Sequence, residues 1–377
     1  MSERNLHIIS FDVPYPPNYG GVIDVFYKIK ELHTKGIKIH LHIIEYPGRE
    51  RAPELEQYCE TINYYPRVTG MKSAFSLVPY IVQSRKSNEM INNLLKDDYP
   101  ILFEGLHSCY YLDDKRLKGR KLIYRESNIE HHYYYNLFKA EQHWGKKVYF
   151  LMESFKLLLF QRKIKYADIS LVVSKSDRDY LLKAFPKKKI IFLPSFHANN
   201  SVVSKVGTGD YFLYHGNIEV PENEAAAEYL IKRVFTGSQH KLIIAGMNPP
   251  KNIIQLAAKC KNIKVIGNPN DDIMFQLINE AQANILVTFQ ASGLKLKLLN
   301  TLYNGRFCIV NPTMLNGTDL DELCLIGHST PEIKSIIDAV ATKNFNEDEI
   351  AKREKVLQRD FSNSVNADFM IETIFNS

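Results

Sequence analysis

Short runs of β-branched and apolar residues alternate with longer segments of helical periodicity along almost the whole chain. A strand buried on both faces is apolar throughout, whereas the helix that covers it is apolar along one stripe. The alternation therefore predicts parallel sheets joined by crossover helices. In the first half the predicted strands are LHIISF, IKIHLHII, PILFEG, KLIYRES, ISLVVS and KIIFLP, each close to the length of about 4 to 8 residues expected of a buried strand. Between the last two, SKSDRDYLLKAF opens on a serine able to cap a helix and continues with helical spacing. Residues 197–210, HANNSVVSKVGTGD, are polar, without periodicity, and have the composition of a linker. The alternation then restarts with YFLYHG, a helix from Glu222, KLIIAG, a helix, IKVIG, a helix from Asp271, NILVTF, a helix, RFCIV and a helical tail. Two consecutive doubly wound α/β domains with a cleft between them follow, and no short-period repeat is visible.

A length of 377 residues agrees with this division, since single cores settle near roughly 100 to 200 residues. The net charge of +6 arises from 48 basic and 42 acidic residues that are interspersed. No nucleic-acid motif accompanies it, so a nucleic-acid partner is not expected. Cys59, Cys109, Cys260, Cys308 and Cys324 are widely spaced and include no C-x-x-C pair, which reads as buried thiols in a reducing cytoplasm rather than disulfides or zinc ligands. MSERN runs directly into a strand, so no signal peptide is expected. No stretch reaches the roughly 18 uninterrupted apolar residues of a membrane span.

From Glu141 to Tyr166 a long helical pattern sets Lys146, Lys147, Lys156, Arg162, Lys163 and Lys165 beside Phe150, Phe155, Leu157, Leu158, Leu159 and Phe160. Two readings stand: a crossover helix whose apolar stripe packs on the sheet, or a segment resting on an anionic membrane surface.

Ligands of open α/β sheets bind beyond the carboxyl ends of the strands. After LHIISF, the loop DVPYPPNYGG carries Asp12, stiffening prolines, and Gly20 and Gly21 at a helix start that can present amides to an anion. Beyond PILFEG lies His107, and KLIYRES is followed by Asn128, Glu130, His131 and His132. A carboxylate or imidazole there, such as Glu126 or His107, can take a proton from an attacking hydroxyl. The alternative is that these groups satisfy loop backbone. Adjacent Glu130, His131 and His132 do not share a helix face, so no metal is expected.

In the second half, NILVTFQASGLKLKLLNTLYNGRFCIVNP runs strand, loop, helix, glycine stop, strand. Ser292 and Gly293 open the helix and Lys295 and Lys297 occupy its first turns, offering free amides, a positive dipole end and two ammonium groups for a diphosphate. Such a site stabilises a departing nucleoside diphosphate without a metal. Gly216 and Gly246 end two further strands where a ligand can approach, and Asn223 lies at the helix start after the first of them.

Here the chain resembles the GT-B glycosyltransferases, in particular the family-4-like group and its bacterial cell-surface polysaccharide members. PYPPNYGG resembles their first glycine-rich loop, and RESNIEHHYY a recurrent acceptor-domain segment. SGLKLKLLNTLYNGRFCIV resembles the stretch in which a lysine precedes the helix bearing a donor-binding acid. The resemblance implies two Rossmann-like domains, 1–200 for the acceptor and 201–360 for the nucleotide sugar, with 361–377 as a closing helix packing back on the first. It also implies that Lys297 and the amides near Gly293 hold the donor diphosphate, that Gly20 and Gly21 approach it from the opposite domain, and that Gly216 and Asn217 line the same crevice. Two departures stand out: the family's paired glutamates are represented by Ser292 and Asn300, and a family lysine by Glu222. Asn300 can still bond a ribose hydroxyl.

The expected activity is metal-independent sugar transfer onto an acceptor hydroxyl, with no cofactor beyond the nucleotide-sugar donor. Catalysis falls to Lys297 with Glu126 or His107, and acceptor binding to Asp12, Asn128 and His131. The acceptor is expected to be a saccharide or lipid-linked saccharide, handled in the cytoplasm or at the inner face of an anionic membrane. A nucleotide-sugar epimerase of the same architecture and a catalytically degenerate binding subunit are the alternatives.

Overall fold

The computed structural model describes residues 3–46, 48–70, 76–289 and 296–376. It divides into two compact units, one running to Ala198 and resuming at Phe361, the other lying between Asn199 and Asp360.

The first unit is a parallel sheet of β1 (Asn5–Ser10), β2 (Lys38–Glu45), β3 (Thr61–Pro66), β4 (Ile101–Glu104), β5 (Leu122–Glu126), β6 (Ile169–Val172) and β7 (Lys189–Phe192), in the order β3-β2-β1-β4-β5-β6-β7. Strand periodicity sends alternate side chains to opposite faces. Leu6, Ile8, Leu102 and Ile123 meet the helix Gly20–Thr34 and the closing helix Asn363–Phe375 through Ala367, Met370, Ile371 and Ile374. Ile9, Ile101, Phe103 and Tyr124 face the other way onto Leu157 and Phe160. Strand β3 is absent from the strands read in the sequence. It is an edge strand, TINYYP, with Tyr65 its one buried side chain, and it lacks the apolar continuity of the interior strands.

The second unit repeats the scheme with β8 (Phe212–Asn217), β9 (Leu242–Met247), β10 (Ile263–Gly267), β11 (Ala283–Leu286), β12 (Phe307–Val310) and β13 (Leu325–Ile326), in the order β10-β9-β8-β11-β12-β13. The two-residue β13 is too short to leave a periodic signal. In each sheet the strand order reverses once, between β1 and β4 and between β8 and β11. These switch points open the crevices where α/β sheets take ligands.

One local expectation is corrected. The pattern over 141–166 is not one helix: Trp144–Phe160 is α-helical, Gln161–Tyr166 forms a 3-10 turn, and a separate helix, Glu130–Ala140, precedes them. The break lies at Glu141, whose carboxylate accepts from the backbone N–H of Gln142 and His143, both at 2.8 Å. The polar stretch 197–210, read as a linker, includes the division after Ala198 and carries hydrogen bonds of its own. His197 exchanges bonds with Asn363, its N–H donating to Oδ1 at 3.1 Å and its carbonyl accepting from Nδ2 at 2.6 Å. Ser204 Oγ donates to the Gly305 carbonyl at 2.7 Å, and Gly207 pairs with Phe345.

The centre of the first unit is ionic. Lys28 and Arg125 are both fully buried. Lys28 Nζ reaches Asp24 Oδ2 at 2.9 Å and Glu104 Oε1 at 2.7 Å, while Arg125 grips both Asp24 oxygens at 3.1 Å. Arg125 also donates to the carbonyls of Leu193 and Pro194, at 2.6 and 2.9 Å, and Asp24 accepts the Phe196 N–H at 2.7 Å. Burial raises the Asp24 carboxyl, but Arg125 and Lys28 outweigh it and hold the group well below the usual range. Removing one partner strands the others in a low-dielectric interior. Arg125→Met is expected to cost about 3–5 kcal/mol, seen as a lower midpoint in chemical denaturation; an unchanged midpoint contradicts the role given to the network.

Candidate functional site

In the second unit the carboxyl end of β8 turns directly into the helix Pro221–Tyr229. Gly216 adopts φ 155°, a conformation that favours glycine. Asn223 organises the turn: its Nδ2 donates to the Asn217 carbonyl at 2.8 Å, and its own carbonyl accepts from the buried Tyr214 hydroxyl at 3.2 Å. The helix Leu296–Asn304 brings Lys297 onto this turn. Its Nζ donates to Asn223 Oδ1 at 2.9 Å and stands 5.4 Å from the centre of the Tyr214 ring. The ammonium group is thus half-buried and anchored, rather than turned out to solvent. Behind it, His215 shares a 3.0 Å bond with Thr301. Burial and then the Lys297 charge push the His215 ring down to about 3, so it is neutral at physiological pH.

Gly246 has a different reason to be glycine from the one expected. A Cβ there would lie 1.7 Å from the Gly216 carbonyl oxygen, so the neighbouring strand already fills the space read as room for a ligand. Asn300 spends Oδ1 on Asn304 Nδ2 at 2.8 Å within its own helix. Glu222, in the first turn of its helix, accepts the Thr288 hydroxyl from beyond β11. Gly293 and Lys295, with Ser292, lie outside the described residues.

In the first unit the residues singled out at the strand ends fall around the β1/β4 switch point. Gly20 and Gly21 open the helix Gly20–Thr34, where no side chain caps the first-turn amides. A Cβ at Gly21 would meet the Phe11 ring at 2.6 Å, so this glycine serves helix-to-sheet packing. Asp12 accepts from the Tyr19 hydroxyl at 2.6 Å and the Val13 N–H at 2.8 Å, with Arg49 at 3.8 Å. His107 packs at a tilt against Phe11, ring centres 5.3 Å apart, and sets Nε2 3.7 Å from Glu130 Oε1. Burial, then Arg85 and Arg67, hold its ring well below the usual range. It is a neutral imidazole able to accept a proton, and Nδ1 has no partner among the described residues. Burial raises Glu130 to about 8, leaving it mostly protonated at neutral pH.

Glu126, expected as a base, is enclosed at the end of β5. The residue is 0% exposed, and neither carboxyl oxygen has a hydrogen-bond partner among the described residues. Burial, then Asp177 and Glu130, push its carboxyl well above the usual range. Burial of this kind favours the neutral form of a carboxyl. His131 bonds through Nε2 to the Tyr180 hydroxyl at 3.1 Å, and burial lowers it to about 4. Asn128 is half-buried in the loop between β5 and the next helix. No cluster of three metal-capable side chains occurs among the described residues.

Comparison with known proteins fits this geometry. No family model matches the chain. A Klebsiella pneumoniae protein described as an uncharacterized 44.6 kDa protein in the cps region is 26% identical over 333 residues, covering 82% of this chain and 84% of that protein. Among solved structures, the sucrose-phosphate synthase of Thermosynechococcus elongatus superposes with a TM-score of 0.69 at 12% identity, over 98% of both chains. TarM gives 0.69 at 11% identity, over 100% of this chain and 99% of that one. The chain has the GT-B fold. A third GT-B relative, Anabaena HepE in complex with UDP and glucose, gives 0.63 at 10% identity over 98% of both chains.

Within this GT-B frame the structure brings Gly216, Asn217, Asn223 and Lys297 to one turn of the second unit, and Asp12, His107 and Glu126 to the strand ends of the first. Sequence reasoning missed Tyr214, which underlies Lys297, and the arginines around His107. Tyr214 sits inside a predicted strand, where an aromatic residue reads only as core.

Proposed function

We propose that this chain is a glycosyltransferase, moving a sugar from a nucleotide-sugar donor bound by the second unit to an acceptor hydroxyl handled by the first, in cell-surface polysaccharide or glycolipid synthesis. The observation that carries the proposal is Lys297, clamped by Asn223 and Tyr214 at the carboxyl end of β8. A cation fixed before the reaction stabilises the charge that develops on a departing nucleoside diphosphate without reorganising. The UDP in the HepE complex and the cps-region relative support the choice of donor class and setting.

In this mechanism the donor is the only small molecule beside the acceptor, and Lys297 supplies the charge stabilisation that a metal ion provides elsewhere. His107, neutral and next to Glu130, accepts the proton of the acceptor hydroxyl as the new glycosidic bond forms. Glu126 serves as a neutral hydrogen-bond donor in place of the expected base. Asp12, Asn128 and His131 border the acceptor, a saccharide or lipid-linked saccharide.

The helix Trp144–Phe160 favours work at the cytoplasmic face of a membrane. Glu153, Ser154, Leu157 and Phe160 face the protein, so Leu157 and Phe160 pack inward as one reading of the sequence had it. The opposite side exposes Trp144 at 77%, Met152 at 56% and Phe155 at 61%, together with Leu151, Leu158 and Leu159. Lys147, Arg162 and Lys165 flank this face. An apolar helix face edged with cations and a tryptophan matches the interface of an anionic bilayer. No helix among the described residues is long and apolar enough to cross a membrane.

Two measurements test these readings. Lys297→Ala is expected to lower sugar transfer about 10²-fold or more in a screen of UDP-, GDP- and dTDP-sugars with a mixed saccharide acceptor pool, with circular dichroism unchanged; wild-type rates in the variant remove Lys297 from the mechanism. In vesicle flotation, the chain is expected to rise with phosphatidylglycerol vesicles and Phe155→Glu to stay behind. Equal recovery on neutral and anionic vesicles would end the membrane assignment.

A further inference from the structure

The first unit holds two arginines that form no ion pair among the described residues. Arg85 is 3% exposed; its Nε donates to the Phe11 carbonyl at 3.1 Å and its Nη1 to the Ile81 carbonyl. Arg67 donates Nε to Ser84 Oγ at 2.9 Å. The two guanidinium groups share the ring of Tyr46, at 5.2 and 4.2 Å from its centre, and Arg67 also lies 5.4 Å from the ring of Tyr80. All the hydrogen-bond partners are neutral. Among the described residues neither arginine has a carboxylate at ion-pair distance, in contrast to Arg125 of the same sheet, which holds Asp24.

The acids of the neighbourhood do not fill this gap. Asp12 favours the Arg85 cation only at longer range, its oxygens being taken by the Tyr19 hydroxyl, the Val13 N–H and Arg49. Glu130 is mostly protonated at neutral pH, since burial raises it to about 8. Burial without an ion-pair partner is costly to a guanidinium, and here it lowers the affinity of Arg85 for its proton. Arg85 is thus a buried cation without an ion pair, set beside the half-exposed Arg67. Their place is the β1/β4 switch point: Arg85 is bonded to Phe11, just beyond β1, and Phe11 packs against the ring of His107, just beyond β4. Arginine is suited to oxyanions, because its planar fork meets two oxygens at once.

We infer that the acceptor carries an oxyanion, a phosphate or a carboxylate, and that Arg67 and Arg85 are the counter-charges that receive it beside His107. This rests on the reading of the first unit as the acceptor half of a transferase. It explains why the arginine pair lies next to the imidazole expected to take the acceptor proton: the anion fixes the acceptor while its hydroxyl meets His107.

The test is calorimetric titration of the full chain carrying Lys297→Ala, which removes the competing anion site of the donor half. The probes are inorganic pyrophosphate, D-glucuronate and uncharged glucose. One of the two anions is expected to bind, pyrophosphate pointing to a phosphate-linked acceptor and glucuronate to an acidic sugar. Adding Arg67→Gln is expected to weaken that binding at least tenfold, with Arg67→Lys intermediate. Arg67 is chosen because it is half-exposed with one side-chain hydrogen bond, and circular dichroism checks its fold. Binding of neither anion, or binding indifferent to Arg67, overturns the inference. Nucleoside diphosphate binding by the wild-type chain reports the transferase reading separately: its absence beside Arg67-dependent anion binding overturns that reading and not the anion site.

Discussion

Asp24 sits where four parts of the first unit converge, and its two oxygens are shared among Lys28 on its own helix, Arg125 on β5 and the backbone of Phe196. Lys28 carries the link onward to Glu104 at the end of β4. Two cations and two acids thus neutralise one another with almost no solvent. A charge placed in such surroundings without its partner costs several kcal/mol, so the four groups fix one arrangement of helix Gly20–Thr34 against β4 and β5. His107, Glu126 and Glu130 follow directly from those strands, and their spacing inherits that rigidity.

The protonation states at the strand ends follow from the same low dielectric. Glu126 and Glu130 are buried without a bonded cation and favour their neutral forms, while His107 loses its proton for the same reason. Environment rather than residue type thereby sets which of these groups favours its neutral form. In the second unit the arrangement is simpler: an amide and an aromatic ring from one strand–helix turn hold one ammonium group, and the Tyr214 hydroxyl donates to the Asn223 carbonyl behind them.

The fold was legible because the interior strands are apolar without interruption, as in KLIYRES or NILVTF, and the turns between them are marked by Gly, Pro and capping residues. The edge strand Thr61–Pro66 was missed because one side of it is wet, and the helix Glu130–Ala140 because its first turn is polar and aromatic with few buried positions. Of the site, Lys297 with Gly216, Asn217 and Asn223 was readable from strand-end position and resemblance. Residue type alone does not disclose that burial raises the Glu126 carboxyl, nor that Gly246 is small for the sake of the Gly216 carbonyl, since both depend on what packs alongside. Arg67 and Arg85 escaped notice for a related reason. They are remote in sequence from Tyr46 and from His107, and only the folded chain assembles them.

The central claim is that the turn at the end of β8, with Lys297 upon it, holds a nucleoside diphosphate. Hydrogen exchange read by mass spectrometry, with and without UDP, GDP or dTDP, addresses it most directly. The account predicts slowed exchange over residues 214–223 and 296–304 with at least one of the three. Exchange unchanged in both segments with all three nucleotides, or slowed only in the first unit, would contradict it.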